Sequence, residues 1–196
     1  MKEIRLTKDL LDIKESYICW SDFLKQKVEF WLVNSDYHTK QHCSRVLLLA
    51  LLLGKQNHLG TADMEALAMA AVFHDSRRKD DWLDVGHGQH AADYYKEYCK
   101  KHDLFYDSRT YVIMAYHDQP DEKGFHFIEN NRELEASDKL LYQIFKDADA
   151  LDRFRLGPDA LDIKYLRTSQ AKELVDFAKE LLEIGVEQVW KAYRLL

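Results

Sequence analysis

The stretch VLLLALLL, from Val46 to Leu53, is apolar on every side of a helix and constrains the fold more than any other segment. A helix without a polar face hides its surface only when other elements surround it. The run is also far too short to span a bilayer. The chain is therefore expected to fold around this segment as a central helix, with Gly54 as its C-terminal stop. A length of 196 residues suffices for one well-buried core. Two prolines and seven glycines supply no linker composition, so residues 1–196 are read as a single domain.

Apolar residues recur with helical period almost throughout. Helices are expected near residues 7–19, 21–34, 38–58, 62–75, 88–102, 107–117, 137–154 and 159–165, with a long last one over about 168–195. The fold class is thus all-α, a single-domain helical bundle. Thr61, Asp107 and Ser137 are the expected N-caps. Two polar loops, 76–86 around Trp82 and 118–135 around Pro120 and Gly124, are expected to border a site.

The formal net charge of -6 argues against a nucleic-acid backbone as the main ligand, since that mode needs a concentrated basic surface. Cys19, Cys43 and Cys99 are odd in number and fall on no Cys-x-x-Cys spacing, which suits a reducing compartment. With no apolar stretch of signal-peptide length at the N-terminus, the expected location is cytoplasmic and no membrane partner is expected.

Chemistry concentrates in the histidines and aspartates. His38 and His42 in DYHTKQHCSRV are four apart and share one helix face. His74 and Asp75 close the apolar run AMAAVF, where a pair costly to bury must find a partner. In FKDADALDRF, Asp147, Asp149 and Asp152 alternate with small apolar residues, so at least one carboxylate faces inward and wants a cation. Two imidazoles and two carboxylates suit a divalent transition ion: manganese, iron, cobalt, nickel or zinc. Such a set leaves a position for water, whose pKa a bound ion lowers from ~15.7 towards ~7.

HTKQHCSRV, AAVFHD and DADALD, taken in order, resemble the H...HD...D signature of the HD-domain superfamily of metal-dependent phosphohydrolases. The resemblance covers about residues 37–152. It implies a helical fold and His42, His74, Asp75 and Asp149 as ligands, with Asp147 as the fallback for the last. HGQHAA, from His87, and MAYHDQP, with His117, are similar to segments of members that hold a second ion, which Asp75 would bridge. The glycine doublet some of those members carry later in the chain is absent. DYHTKQH resembles the first motif of cyclic-nucleotide phosphodiesterases, which would make His38 a general acid that protonates the leaving oxygen.

Arg45, Arg77, Arg78 and Lys79 are candidates to meet a substrate phosphate, because guanidinium and ammonium groups match its oxygens; Arg45, Arg78 and Lys79 form the retained set. Trp82 is the candidate ring partner for a nucleobase. Cys43 and Cys99 are expected in the core, and His58, His90, His102 and His126 on the surface. The resemblance implies a hydrolase that attacks a phosphomonoester or phosphodiester of a small metabolite, foremost a nucleotide, with hydroxide held by the metal. The competing readings are a di-iron oxygenase of the same superfamily and a non-catalytic nucleotide-sensing module.

Overall fold

The computed structural model describes residues 2–33, 35, 37–82 and 84–193, with the side chains of residues 2–4 left aside. Its helices are α1 (Lys2–Lys27), α2 (Lys40–Gln56), α3 (Thr61–Phe73), α4 (His87–His102), α5 (Ser108–Tyr116), α6 (Asp121–Asn130), α7 (Asp138–Leu151), α8 (Ser169–Glu173), α9 (Val175–Ile184) and α10 (Val186–Ala192), with 3-10 turns at Asp152–Leu156 and Ile163–Tyr165. No strand occurs among the described residues, so the all-α class holds. None of these helices is long and apolar enough to cross a membrane.

The central-helix expectation holds. Every residue from Val46 to Leu53 is fully buried, and α2 packs against α1, α3 and α7 while also touching α8, α9 and α10. Each leucine enclosed in this way stabilises the fold by about 1.5–3 kcal/mol relative to exposure. One continuous apolar cluster runs from Leu10 to Trp190.

Gly54 departs from expectation. The helix continues to Gln56, and a Cβ at position 54 would lie 2.5 Å from Met64 Sδ, so this glycine lets α3 approach α2 closely. The stop comes from Asn57, whose Nδ2 donates to the Leu53 carbonyl, and from His58 at φ 59°.

The two expected N-terminal helices form one, because neither proline nor glycine interrupts Trp20–Ser21–Asp22. That helix ends at Lys27. The chain beyond it tucks Val28 into the core and pins Trp31 N to the Ser76 carbonyl at 3.0 Å, beside the His74–Asp75 pair. Asn34, residues 194–195 and Leu83, on which expected helix ends and part of the 76–86 loop fall, lie outside the described residues.

The segment 118–135 contains α6, which starts after Pro120 and packs beneath Tyr142; a Cβ on Gly124 would lie 2.6 Å from that ring's Cζ. Residues 159–165 form turns in place of a helix, and the expected long last helix breaks at Leu174 and at Gly185, where φ is 76°. Of the expected caps, Asp107 accepts from Arg109 N at 2.8 Å. Gly60 holds the cap position before Thr61, and Ser137 sits at its cap position without a side-chain capping bond, its hydroxyl donating to Glu135 instead.

Candidate metal centre

Thr39 caps α2 by accepting from His42 N, which places His42 in the first turn with its ring fully buried. His74 follows the last residue of α3 and still donates its backbone N–H to the Ala70 carbonyl at 2.9 Å. The apolar helix thus ends by delivering His74 and Asp75 into the interior, 0% and 3% exposed. Asp149 enters from the end of α7, His87 from the start of α4 and His117 from the end of α5.

Their tips converge. His42 Nε2 lies 3.1 Å from His74 Nε2 and 3.4 Å from both Asp75 Oδ2 and Asp149 Oδ1. His74 Nε2 is 3.9 Å from Asp75 Oδ1 and from Asp149 Oδ1. On the other side of Asp75, Oδ1 stands 3.1 Å from His87 Nε2 and 3.7 Å from His117 Nε2, and those two nitrogens are 3.0 Å apart. Asp75 thus turns Oδ2 to His42 and Oδ1 to His74, His87 and His117.

The far nitrogen of each ring shows what the near one is for. Nδ1 of His42 donates to Asp152 Oδ2 at 2.7 Å, His74 to the Ala71 carbonyl at 3.0 Å, His87 to the Asp84 carbonyl at 2.5 Å and His117 to the Met114 carbonyl at 2.7 Å. Carbonyls and carboxylates only accept, so each Nδ1 carries a proton and each ring, once neutral, aims its Nε2 lone pair inward. Facing lone pairs about 3 Å apart repel unless a proton or a cation lies between them. Rings fixed by an outer acceptor, with bare Nε2 atoms and carboxylates converging, are the arrangement of metal ligands. The residues therefore fit a divalent ion, and His42–His74–Asp149 and His74–Asp75–His117 each bring their ligand atoms within 4.8 Å of one another.

The electrostatics agree. Burial pushes the Asp75 carboxyl upward, but the neighbouring His74 and the imidazoles of His117, His38 and His87 around it hold it well below the usual range. Asp149 is also lowered, because His42 outweighs its burial. Burial lowers His74 to about 3 and keeps it neutral. His42 and His87 are raised, since carboxylates outweigh burial: Asp149, Asp152 and Asp75 for the first, Asp75 for the second.

The model of the HD domain matches residues 39–153. The chain belongs to the HD domain family. Its members are metal-dependent phosphohydrolases in general, and the buried histidine–aspartate groups found here suit the divalent ion of such a domain. No curated protein and no solved structure matches the chain significantly.

Within the HD centre, His38 joins the cluster: its Nδ1 donates to Asp75 Oδ2 at 2.8 Å. Asp147 does not. Two residues from Asp149, it faces the opposite side of α7 and accepts from Thr168 N, Thr168 Oγ1 and Arg167 N, which removes it as the fallback ligand. Arg45 binds Asp152 with Nε at 2.5 Å and Nη2 at 2.9 Å, so its fork holds a carboxylate of the protein. Arg78 is buried with Nη1 over His87 and 4.0 Å from Asp75 Oδ1, while Nη2 donates to the Trp82 carbonyl. Lys79 is exposed, and Arg77 is buried under Tyr94 and Trp31. Trp82 stands 85% exposed, Cys43 and Cys99 are buried, and His90, expected at the surface, is half-buried against Trp31.

Three contributors to the HD centre escaped the sequence reading. Asp152 orients His42, and its place three residues after Asp149, on the same helix face, was the available signal. Gly88 lets α4 lie against the end of α5: a Cβ there would collide with the Met114 carbonyl and come within 2.8 Å of His117 Nδ1. Asp118 accepts from Gly86 N at 2.5 Å and fixes the entry to α4.

Proposed function

We propose that the chain is a single-domain hydrolase of phosphomonoesters or phosphodiesters of small metabolites, nucleotides foremost, acting in the cytoplasm. The observation that carries this reading is the convergence of bare Nε2 atoms on two sides of one buried carboxylate, Asp75. His42, His74, Asp75 and Asp149 would hold one divalent ion; His87 and His117, with the second oxygen of Asp75, would hold another. The chemistry such ions supply when bound is an acidified water and neutralised phosphoryl oxygens.

The chain's own groups do the rest. Asp152 and the carbonyls of Ala71, Asp84 and Met114 hold the proton on each Nδ1, keeping the ligand tautomer without rearrangement during turnover. Asp149, with its side chain 30% exposed, is the most open ligand and marks the side from which substrate arrives. His38 is the proposed acid: Asp75 fixes Nδ1 as an N–H, leaving Nε2 as the atom through which a proton passes to the leaving oxygen. The free thiols of Cys19, Cys43 and Cys99 suit a reducing compartment.

Metal analysis of the purified protein, followed by a screen of phosphorylated metabolites with manganese, cobalt or iron supplied, tests the proposal. His74→Ala is expected to lose both metal and turnover; retention of both would overturn the assignment. The second nitrogen pair also supports an oxygenase with two irons, and the screen separates the readings: iron with a charge-transfer colour and no phosphatase activity would favour it.

A further inference from the structure

A cavity of about 1200 Å³ is lined in part by Phe30, Tyr37, Lys40, Arg45 and Arg155, the last two reaching Asp152 and His38 of the metal centre. Two of its cations are engaged: Lys40 Nζ donates to the Leu24 and Lys25 carbonyls at 3.0 and 2.9 Å, and Arg45 holds Asp152. Arg155 differs. It stands in the 3-10 turn after α7, its side chain only 9% exposed. Nε donates to the Tyr37 carbonyl at 3.0 Å and Nη1 to the Asp152 carbonyl at 3.2 Å, so two of its nitrogens fix the fork in place. Nη2 lies 3.4 Å from His38 Nδ1. That imidazole nitrogen already carries the proton given to Asp75, so it offers Nη2 no lone pair. A buried guanidinium nitrogen facing another donor lacks its acceptor, and the ligand that best supplies one is an oxyanion with oxygens spaced for a fork.

We infer that Arg155 receives the substrate's phosphate where this cavity meets the metal centre, with the leaving group lying in the cavity beside Phe30 and Tyr37. The inference deepens the phosphohydrolase reading and rests on it for the word substrate, but anion binding is measurable without turnover. An oxyanion on Nη2 stands beside His38, the proposed acid, and so within one imidazole of Asp75. The Phe30 and Tyr37 rings within this mixed lining favour phosphomonoesters whose leaving group is a flat ring system, as in a nucleoside, over those of open-chain polyols.

The probe is inorganic phosphate, titrated calorimetrically into the manganese-loaded protein. Arg155→Gln is expected to keep its metal content and weaken phosphate at least tenfold, with Arg155→Lys recovering part of the loss. The KM for 4-nitrophenyl phosphate is expected to rise by a similar factor. Unchanged phosphate affinity and KM in Arg155→Gln with full metal content would overturn the inference. Where the variants lose metal or fold, the native protein decides: labelling by phenylglyoxal, mapped by mass spectrometry, is expected to reach Arg155 and to be blocked by phosphate. Equal labelling with and without phosphate would overturn it. Arg155-dependent phosphate binding in a protein that hydrolyses no phosphoester would sink the enzymatic reading alone; hydrolysis indifferent to Arg155 would sink this inference alone.

Discussion

The two sides of Asp75 use the same ligand chemistry on different foundations. His42, His74 and Asp149 stand on α2, α3 and α7, the helices packed at the centre of the bundle, and His42 is backed by a carboxylate that is itself gripped by Arg45. His87 and His117 stand at the start of α4 and the end of α5, bond backbone carbonyls through Nδ1, and have the Arg78 guanidinium against His87. A carboxylate behind an imidazole raises its basicity and fixes its orientation, whereas a nearby cation opposes a second one. On the proposed reading the first side would therefore hold an ion more tightly than the second.

The largest effect expected from breaking this contrast comes at the shared residue. Asp75→Ala should abolish metal binding on both sides, and mass spectrometry of the native protein would show neither ion. Removing the backing of the first side is next: Asp152→Asn should weaken the tighter ion by about 10–100-fold, the usual reach of an outer partner, with the weaker ion little changed in a calorimetric titration. Gly88→Ala should do the converse. Its methyl group forces His117 away from the Met114 carbonyl, so the weaker ion is lost while the tighter one remains.

Protonation sharpens the same comparison. In the metal-free protein His42 and His87 titrate above the ordinary imidazole range, because the carboxylates around each outweigh its burial, whereas burial holds His74 near about 3. A proton on His42 or His87 competes with metal, so affinity on both sides should fall as pH drops through those raised values. Binding near neutrality should then release protons from His42 and His87 and none from His74. Calorimetry in buffers of different ionisation heat counts them; no release would contradict the assignment. Smaller still, Arg78→Gln should tighten the weaker ion a few-fold by removing the cation 4.0 Å from Asp75 Oδ1.

The group His42, His74, Asp75 and Asp149 was legible through its resemblance to the HD signature, with apolar runs beside His42 and His74 marking the helix ends that carry them. What the letters did not yield was rotation. Asp147, Asp149 and Asp152 read alike, yet a turn of α7 sends Asp147 to Arg167 and Thr168 while Asp149 and Asp152 share the inner face. Glycine was ambiguous for a similar reason. Gly54 lies within α2 because Met64 fills the space above it, Gly185 breaks the last helix because its φ is positive, and Gly88 admits a neighbouring carbonyl. Each role depends on what packs alongside, which no local pattern encodes. The cationic residues followed the same rule: Arg45 belongs to Asp152, and the nitrogen that faces another donor is found on Arg155.

The central claim is that His42, His74, Asp75 and Asp149 enclose one metal ion. A crystal grown with manganese and measured at its absorption edge tests it directly. The expected result is an anomalous peak bonded to Nε2 of His42 and His74 and to oxygens of Asp75 and Asp149. A map with no peak there, and with those Nε2 atoms in direct hydrogen-bonding contact with the carboxylates, would contradict the account.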